Sequence, residues 1–324
     1  MVQSRLKVKE GAAAPSRETA WLHYLAALRP RQWTKNLIVF AAPLFGFSIN
    51  LDSFLHSALA FAVFCCASSS FYLLNDVADV ESDRRHPVKC NRPIAAGLVT
   101  VPMAIAISTL LLSGALWFAW QQSMGLGAAL TGYAVLQVLY NLKLKRVVIL
   151  DILAIATGFI LRAVAGAAAT GIFLSSWFLL CTAMLALFLG IEKRKAELRL
   201  VALHGGKTRA VLNHYSIPLL IRMESMVSTG AVMSYVLWSS GPVLQGASTP
   251  WMMLTSPFVL YGIFRYQLLS DQSSRVRSDT EGEDEKTERP EDVLLKDRPV
   301  FLTVLLWGVT VFAILWLQNH GVIQ

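Results

Sequence analysis

The sequence contains few charged residues. Only 15% of its 324 residues are Asp, Glu, Lys or Arg, whereas 55% are hydrophobic. Soluble globular domains carry about 25% charged residues, which they use to cover their surface. The scarcity of charge therefore excludes an ordinary soluble globule, and the long apolar runs indicate a membrane protein.

Cysteine is also scarce, and several common motifs are absent. Three of the four cysteines, Cys65, Cys66 and Cys181, fall in apolar runs, and Cys90 lies in a polar loop. This distribution excludes both a disulfide framework and a zinc-binding spacing. The sequence has no Walker loop, no GxGxxG and no HExxH, so it lacks the usual signatures of nucleotide binding and zinc proteolysis.

Apolar runs of about 20 residues, the length that spans a bilayer, recur along the chain. They predict an all-α, polytopic membrane protein with nine transmembrane helices. The predicted spans are 34–50, 54–76, 100–120, 124–142, 149–170, 174–192, 217–239, 250–268 and 299–318.

Positive charge is missing from every second loop. Of the 29 Lys and Arg residues, 25 lie before the first span or in alternate loops. Three more, Lys35, Arg222 and Arg265, lie within two turns of the span ends that border those regions, and only Arg162 lies deep inside a span, the fifth. Positively charged loops remain in the cytoplasm, so the pattern predicts a cytoplasmic N-terminus and a C-terminus on the far side of the cell membrane. It also explains the net charge of +8 without nucleic acid as a partner.

Two segments lie outside the spans. Residues 1–28 are predicted to form a cytoplasmic tail, in which residues 21–28 could make an amphipathic helix on the membrane surface. The transmembrane domain then covers 29–324. Within it, the acidic segment 270–291 is predicted to be a mobile cytoplasmic loop.

A cluster of carboxylates follows the second span. Asn75, Asp79 and Asp83 are four residues apart, which places them along one face of a helix, and Asp76 lies beside them. Such an oxygen-rich face suits Mg²⁺, and phosphate oxygens commonly complete the coordination shell of this ion. The alternative is a solvated helix end, but four basic residues that could hold a phosphate follow at once: Arg84, Arg85, Lys89 and Arg92.

Ionisable residues also occur within or beside later spans. Asp151 and Arg162 are three helical turns apart, so we expect them to share one face and line a polar interior. The basic segment 143–146 satisfies the topology rule in any case, which favours a topological role over anion binding. Segment 192–197 alternates both signs of charge, which fits a salt-bridged surface and anion binding equally well. Arg222 and Glu224 are predicted to snorkel from a helix end.

The order Asn75-Asp76-x-x-Asp79-x-x-x-Asp83, followed by Arg-Pro-Ile-Ala-Ala-Gly at 92–97, resembles the first signature of the UbiA superfamily of membrane prenyltransferases. The resemblance implies nine helices around a central cavity that opens to the cytoplasm, with Mg²⁺-diphosphate held by the carboxylates. Aromatic-prenylating members carry a second DxxxD motif. Here Asp151 is followed by Ile155, so that motif is incomplete.

Further segments resemble one branch of the superfamily, which transfers a phosphoribosyl group from 5-phosphoribosyl diphosphate to a polyprenyl phosphate and releases diphosphate. These segments are 29–36, 160–166, 193–198 and 290–298. The resemblance implies a transferase of the cell membrane with its active site facing the cytoplasm, and it leaves open whether the enzyme is a homo-oligomer. The alternatives are prenyl transfer to an aromatic acceptor and, from another class, a transporter.

The implied reaction assigns roles to the candidate residues. Metal and diphosphate would bind at Asn75, Asp76, Asp79 and Asp83, with cationic support from Lys35, Lys89 and Arg92. The lipid phosphate would bind at Arg162, Lys193 and Arg194, with Tyr140 and Lys145 as weaker candidates. Asp79, Asp83 and Asp151 are the catalytic candidates, and Asp151 would face the ribose hydroxyls or a developing positive charge.

Overall fold

A computed structural model describes residues 17–46, 50–86, 88–204, 210–272 and 297–323. These residues form α-helices and short 3-10 helices and contain no strand. The α-helices are α1 (Arg17–Ala27), α2 (Ala41–Phe45), α3 (Leu51–Ala78), α4 (Val80–Arg84), α5 (Val101–Gln122), α6 (Met124–Leu142), α7 (Leu150–Thr170), α8 (Ser176–His204), α9 (Ile217–Ser239), α10 (Ser256–Gln272) and α11 (Arg298–Asn319). The all-α prediction is confirmed.

Five of these helices, α3, α5, α7, α8 and α11, are long and apolar enough to cross a bilayer. The predicted boundaries of α6 and α9, 124–142 and 217–239, agree with the structure at both ends. Helix α10 is shorter than its predicted span, because a 3-10 helix, Pro250–Thr255, precedes it. The number of nine spans stays a prediction.

The first predicted span, 34–50, differs most from the structure. It is replaced by a 3-10 helix, Pro30–Phe40, and the five-residue helix α2. Asn36 in the 3-10 helix is fully buried and bonds to other side chains, and the carbonyl of Val39 reaches α7 at Gly166. A Cβ at Gly166 would lie 2.0 Å from that carbonyl oxygen. Contacts to side chains and to a glycine thus hold a segment that hydropathy alone treats as a regular span.

The chain divides into two compact units, and the first comprises Met1–Trp33 and Cys66–Gly114. Its apolar core joins α1, the end of α3, the loop before α5 and the start of α5 through five buried residues: Ala27, Leu73, Ile94, Val99 and Ala104. The predicted helix over 21–28 is present as the second half of α1. Its side chain Trp21 is 59% exposed, which suits a membrane surface.

The second unit comprises Thr34–Cys65 and Ala115–Gln324. In it, α6 packs on α7, α7 on α8 and α8 along α9, while α10 packs on α9 and α11. One core cluster lies among α7, α8, α9 and α10 and includes Ile152, Phe188, Ile191, Leu220 and Ile263. Helix α8 continues twelve residues past its predicted end at residue 192, and the added turns carry buried ion pairs.

Candidate functional site

The acidic cluster of the first unit lies where α3 passes into α4. The N–H of Asp79 donates to the carbonyl of Asn75 at 2.9 Å, and the N–H of Asp83 donates to that of Asp79 at 2.8 Å. The four-residue spacing therefore keeps its helical hydrogen bonds through the junction. Asp79 itself has φ −96° and ψ 4°, in the sparsely populated bridge region where many active-site residues lie.

Two carboxylates of this cluster are buried and share one arginine. Asp76 and Asp83 are each 3% exposed. The Nη1 of Arg92 lies 3.0 Å from Asp76 Oδ1 and 2.6 Å from Asp83 Oδ2. A second guanidinium, that of Arg29, donates to Asp76 Oδ1 at 2.5 Å and lies over the ring of Tyr72. The cluster is thus a charge-assisted network, which is the form that buried carboxylates require.

The loop that carries Arg92 has a fixed shape. Ile94 and Val99 insert into the apolar core of the first unit and are 2% and 1% exposed. Gly97 adopts φ +77°, a conformation that favours glycine, and the Nε of Arg84 donates to the carbonyl of Ala95 at 3.3 Å. These contacts hold Arg92 against the two carboxylates.

The other candidates in this unit are more open. Asp79 and Lys89 are exposed and form no ion pair within the described segments, and Asn75 is half-buried. Among these segments no group of three or more His, Cys, Asp or Glu side chains lies close enough to hold a metal ion. The side chains still suit a hard divalent cation chemically, because Asn75, Asp76, Asp79 and Asp83 all offer oxygen ligands. Asp76 and Asp83 already share one cationic group, the Arg92 guanidinium.

The second unit contains a separate network around Asp151, at the start of α7. Asp151 is fully buried, and each of its carboxylate oxygens has a protein donor. Arg194 Nε donates to Oδ2 at 2.7 Å, and the hydroxyl of Tyr215 donates to Oδ1 at 2.7 Å. The Tyr215 hydroxyl in turn accepts from the N–H of Ile149 at 2.7 Å. Asp151 is therefore committed to neighbouring side chains rather than open to a cavity.

Arg194 extends this network along α8. Its Nη1 pairs with Glu197 Oε2 at 2.5 Å, and Tyr140 is among the ionisable groups that interact with its guanidinium. The structure thus brings together three of the predicted residues, Tyr140, Asp151 and Arg194. Burial raises the pKa of the Tyr215 hydroxyl above its usual value, so this hydroxyl stays protonated and can donate to Asp151.

Arg162 belongs to another network, about 16 Å farther along α7. Its Nε donates to Asn36 Oδ1 at 2.6 Å, its Nη1 to the carbonyl of Gly158 at 2.8 Å and its Nη2 to the Tyr133 hydroxyl at 3.0 Å. The guanidinium carbon also lies 4.6 Å from the centre of the Tyr133 ring. Arg162 is 6% exposed and forms no ion pair among the described residues. The structure does not join it to Arg194.

A third buried network was not predicted. Lys195 on α8 pairs with Glu192 at 2.6 Å and with Glu224 on α9, and Ser270 on α10 donates to Glu192. Glu224 is 5% exposed, so the prediction that it snorkels from the helix end is wrong. Tertiary packing supplies its partner, which local spacing could not show. Of the predicted residues beside Lys195, Arg194 is buried and Lys193 is partly exposed.

The basic segment between α6 and α7 forms a 3-10 helix, Leu144–Arg146. Lys145 on it is half-buried and, like Lys143 and Arg146, forms no ion pair in the parts of the chain that the structure describes. Lys35 lies on the 3-10 helix Pro30–Phe40 in the second unit and is half-buried.

Sequence reasoning missed two residues that the structure joins to predicted carboxylates. Arg29 pairs with Asp76, and its place at the start of the conspicuous 29–36 segment was a usable signal. Tyr215 bonds to Asp151, but it lies in a polar connection with no distinguishing pattern, so the sequence carried no signal for it.

Comparisons with known proteins agree with the fold. The chain is 37% identical over 305 residues to the decaprenyl-phosphate phosphoribosyltransferase of Mycolicibacterium smegmatis, covering 90% of this chain and 92% of that protein. It is 38% identical over 292 residues to the protein of the same name from Corynebacterium glutamicum, covering 87% and 83%.

A solved structure has the same fold. The UbiA homologue from Archaeoglobus fulgidus bound to GPP and Mg²⁺ superimposes with a TM-score of 0.68, at 19% identity, and the match covers 90% of this chain and 99% of that one. The UbiA prenyltransferase family matches residues 37–280. Because that match spans most of the chain and the fold agrees, the protein belongs to the UbiA prenyltransferase family.

Proposed function

We propose that the protein transfers a 5-phosphoribosyl group from 5-phosphoribosyl 1-diphosphate to a polyprenyl phosphate of the decaprenyl type. The relatives that bear the name of this activity support the proposal, since they match almost the whole chain. The observation that carries it in the structure is the state of Asp151. At the place of a second acidic motif, the Asp151 carboxylate is held in an ion pair with Arg194, which leaves the cluster at Asn75, Asp76, Asp79 and Asp83 to bind a metal-bound diphosphate.

The proposed reaction is a substitution at the anomeric carbon of the sugar. An oxygen of the lipid phosphate forms a bond to this carbon, and the bond from the carbon to the diphosphate breaks, with its electron pair leaving on the diphosphate. The attacking phosphate is already an anion near neutral pH, so no general base is needed. The tasks left for the protein are to orient two anions and to stabilise the charge on the leaving group.

Asn75, Asp76, Asp79 and Asp83 would hold Mg²⁺ in this proposal. The ion would supply neutralisation of the negative charge that builds up on the departing diphosphate. Arg92 holds Asp76 and Asp83 in place, and its guanidinium, together with Lys89, adds positive charge beside them. We further assign Lys35 to the support of the sugar diphosphate.

The lipid phosphate is assigned to cations of the second unit. Arg162, Lys193 and Arg194 are the principal groups, and Tyr140 and Lys145 are weaker candidates. Tyr140 interacts electrostatically with the Arg194 guanidinium. Since both oxygens of Asp151 are occupied, we assign it a positioning role that holds the Arg194 guanidinium in one orientation.

The membrane setting of the site is part of the same proposal. We place the active site on the cytoplasmic side, where a soluble sugar diphosphate is available, with nine spans around a central cavity and the C-terminus on the far side. The five apolar helices and the family membership support a multi-pass protein.

Prenyl transfer from a prenyl diphosphate to an aromatic acceptor is the second candidate. The fold neighbour bound to GPP and Mg²⁺ favours it. The buried Asp151–Arg194 pair opposes it, because a prenyl diphosphate held by two acidic motifs needs a second free carboxylate pair.

Purified protein in detergent, incubated with labelled phosphoribosyl diphosphate, polyprenyl phosphate and Mg²⁺, distinguishes the two candidates. We expect a labelled product that partitions into organic solvent and does not form in the presence of EDTA. The proposal fails if no such product forms while a prenyl diphosphate and an aromatic acid are converted instead.

A further inference from the structure

The backbone at Ile149, just before α7, adopts an unusual conformation. Its φ is +71° and its ψ is −46°. Positive φ is uncommon outside glycine and is a genuine outlier for a β-branched residue such as isoleucine. Such strain persists only where the surrounding structure over-determines it, and it concentrates at functional sites.

The side chain of Ile149 does not explain this conformation. It is 50% exposed, so the strained backbone gains little from burying it. Glycine would adopt the same angles without penalty, and nothing in the core would be lost. The conformation must therefore be held by the backbone contacts of Ile149.

One of those contacts comes from a distant part of the chain. The N–H of Ile149 donates to the hydroxyl of Tyr215 at 2.7 Å, and the same hydroxyl donates to Asp151. Tyr215 is 6% exposed and packs in the core cluster that includes Ile152, Val211 and Leu212. It is thus a rigid hydrogen-bonding group fixed against the start of α7.

The strained residue ends the segment that carries Lys143, Lys145 and Arg146. Within this segment, the 3-10 helix Leu144–Arg146 packs on α6, on α7 and on the 3-10 helix Ala210–His214, which directly precedes Tyr215. A rotation of the Ile149 backbone would swing the end of the segment relative to α7. The position of its cations therefore depends on the Ile149–Tyr215 hydrogen bond.

We infer that Tyr215 is a positioning residue that clamps the strained Ile149 and so fixes the basic segment 143–146 for the phosphate of the lipid acceptor. The inference rests on the proposed function for the identity of this anion. The clamp itself rests on the geometry of the second unit alone. Tyr215 acts through Ile149, not through contact with the reacting atoms.

The test compares four variants of the full-length protein in detergent: Tyr215→Phe, Ile149→Gly, the double variant and Tyr261→Phe. Tyr215→Phe removes the hydroxyl, so we expect the KM for polyprenyl phosphate to rise roughly ten-fold, the order expected for one lost hydrogen bond. The value of kcat and the KM for phosphoribosyl diphosphate should stay within about two-fold of the wild type. Tyr261 is 48% exposed, and its variant should behave as the wild type does.

The double variant separates the effect of the Ile149–Tyr215 hydrogen bond from that of the Tyr215–Asp151 hydrogen bond. If Tyr215 acts by holding a strained residue, glycine at position 149 removes the need for it, and the KM should return towards the wild-type value. If Tyr215 acts through Asp151, glycine at position 149 restores nothing, and the inference is overturned. Ile149→Gly alone should leave all three kinetic constants unchanged.

Amide hydrogen exchange over residues 143–149 gives a readout that does not need the reaction. We expect faster exchange in Tyr215→Phe and wild-type exchange in the double variant. Unchanged exchange in Tyr215→Phe overturns the clamp. If wild-type protein makes no labelled lipid, the proposed function fails while exchange still decides the clamp. A rise confined to the KM for phosphoribosyl diphosphate would overturn the assignment of the segment to the lipid phosphate.

Discussion

Asp76, Asp83 and Asp151 are carboxylates at helix ends, and the structure buries all three against arginines. Removing one partner of a buried ion pair leaves an uncompensated charge and costs about 3–5 kcal/mol. A loss of activity at these positions would therefore mix chemistry with folding. Asp79 is different, because it is exposed and forms no ion pair with the described residues.

Asp79→Ala and Asp83→Ala should each remove nearly all transferase activity, by about 100-fold or more, because both carboxylates would bind the metal ion. Only Asp83→Ala should also lower the melting temperature, since it leaves Arg92 with one carboxylate fewer. Activity and thermal unfolding are measured on the same purified samples. Normal turnover in either variant would refute the assignment of the metal site.

Glu81→Ala is the matched control. Glu81 lies in the short helix α4 with Asp83, and its side chain is 71% exposed. Within the described parts of the chain it pairs only with Arg84, which is also exposed. Exposed pairs of this kind contribute about 0–1 kcal/mol, so the variant should keep its activity and its melting temperature.

At the level of single residues, sequence spacing predicted the contacts between neighbouring helical turns and missed the contacts between residues that are distant in the sequence. The four-residue spacing of Asn75, Asp79 and Asp83 holds because it depends on one helical register. The partners Arg29 and Tyr215 come from positions 47 and 64 residues away from their carboxylates. No periodicity links such positions, so only the tertiary fold shows them.

Among the elements, helix ends were predictable where composition changes sharply. Helix α9 begins after Ser216, which caps it by accepting from the N–H of Leu219, and its predicted start at residue 217 is confirmed. The end of α8 was predicted too early. Its last turns are polar, but the buried Lys195 and Arg194 pairs stabilise them, and hydropathy cannot register that.

Gly166 in α7 should be essential for the contact with the 3-10 helix Pro30–Phe40. Gly166→Ala places a Cβ on the carbonyl of Val39, and the resulting overpacking should lower the free energy of unfolding by about 1–3 kcal/mol. Gly262→Ala in α10 is the control, since a Cβ there meets nothing within 4 Å. It should raise stability by about 0.5–1 kcal/mol. Equal melting temperatures of the two variants would contradict this account.

Helix α11 begins with a side-chain cap from Asp297, whose Oδ1 accepts from the N–H of Val300 at 2.9 Å. Asp297→Ala should destabilise the protein by about 1 kcal/mol, whereas Asp297→Asn, which can still cap, should retain most of the stability. Chemical or thermal unfolding in detergent measures the difference. An Asn variant as unstable as the Ala variant would show that the ion pair with Arg265, and not the cap, is what matters.

The stabilisation by Asp297 should depend on pH. Burial acts to raise the pKa of Asp297, but the hydrogen bonds from Arg265 and from the N–H of Val300 outweigh it, so the pKa lies below its usual value. The stabilisation is therefore present above the ordinary carboxyl pKa and is lost as the pH falls through the lowered value. The wild type and Asp297→Ala should converge in stability at acidic pH.

At the scale of the whole molecule, topology is the prediction that most needs a test. With the native cysteines replaced by serine, Glu81→Cys and Val243→Cys should react with a membrane-impermeant maleimide from opposite sides. Val243 is 91% exposed, in a loop predicted to face outwards. It should label in intact cells, whereas Glu81→Cys should label only after permeabilisation. Labelling of both positions in intact cells would contradict the cytoplasmic placement of the acidic cluster.

The architecture was predictable from the sequence as an all-α membrane protein of the UbiA type, because apolar runs and the acidic signature are both local in the sequence. The 3-10 helix Pro30–Phe40 was not predictable, because its position depends on a buried Asn36–Arg162 hydrogen bond and on the absence of a side chain at Gly166.

The central claim is the transfer of the whole phosphoribosyl group with release of diphosphate. The most direct measurement uses phosphoribosyl diphosphate labelled with one isotope in the 5-phosphate and another in the diphosphate, together with polyprenyl phosphate and Mg²⁺. We predict that the 5-phosphate label enters the lipid phase and that the other label is released as free diphosphate. The two amounts should be equal. Diphosphate label in the lipid, or diphosphate release without labelled lipid, would contradict the account.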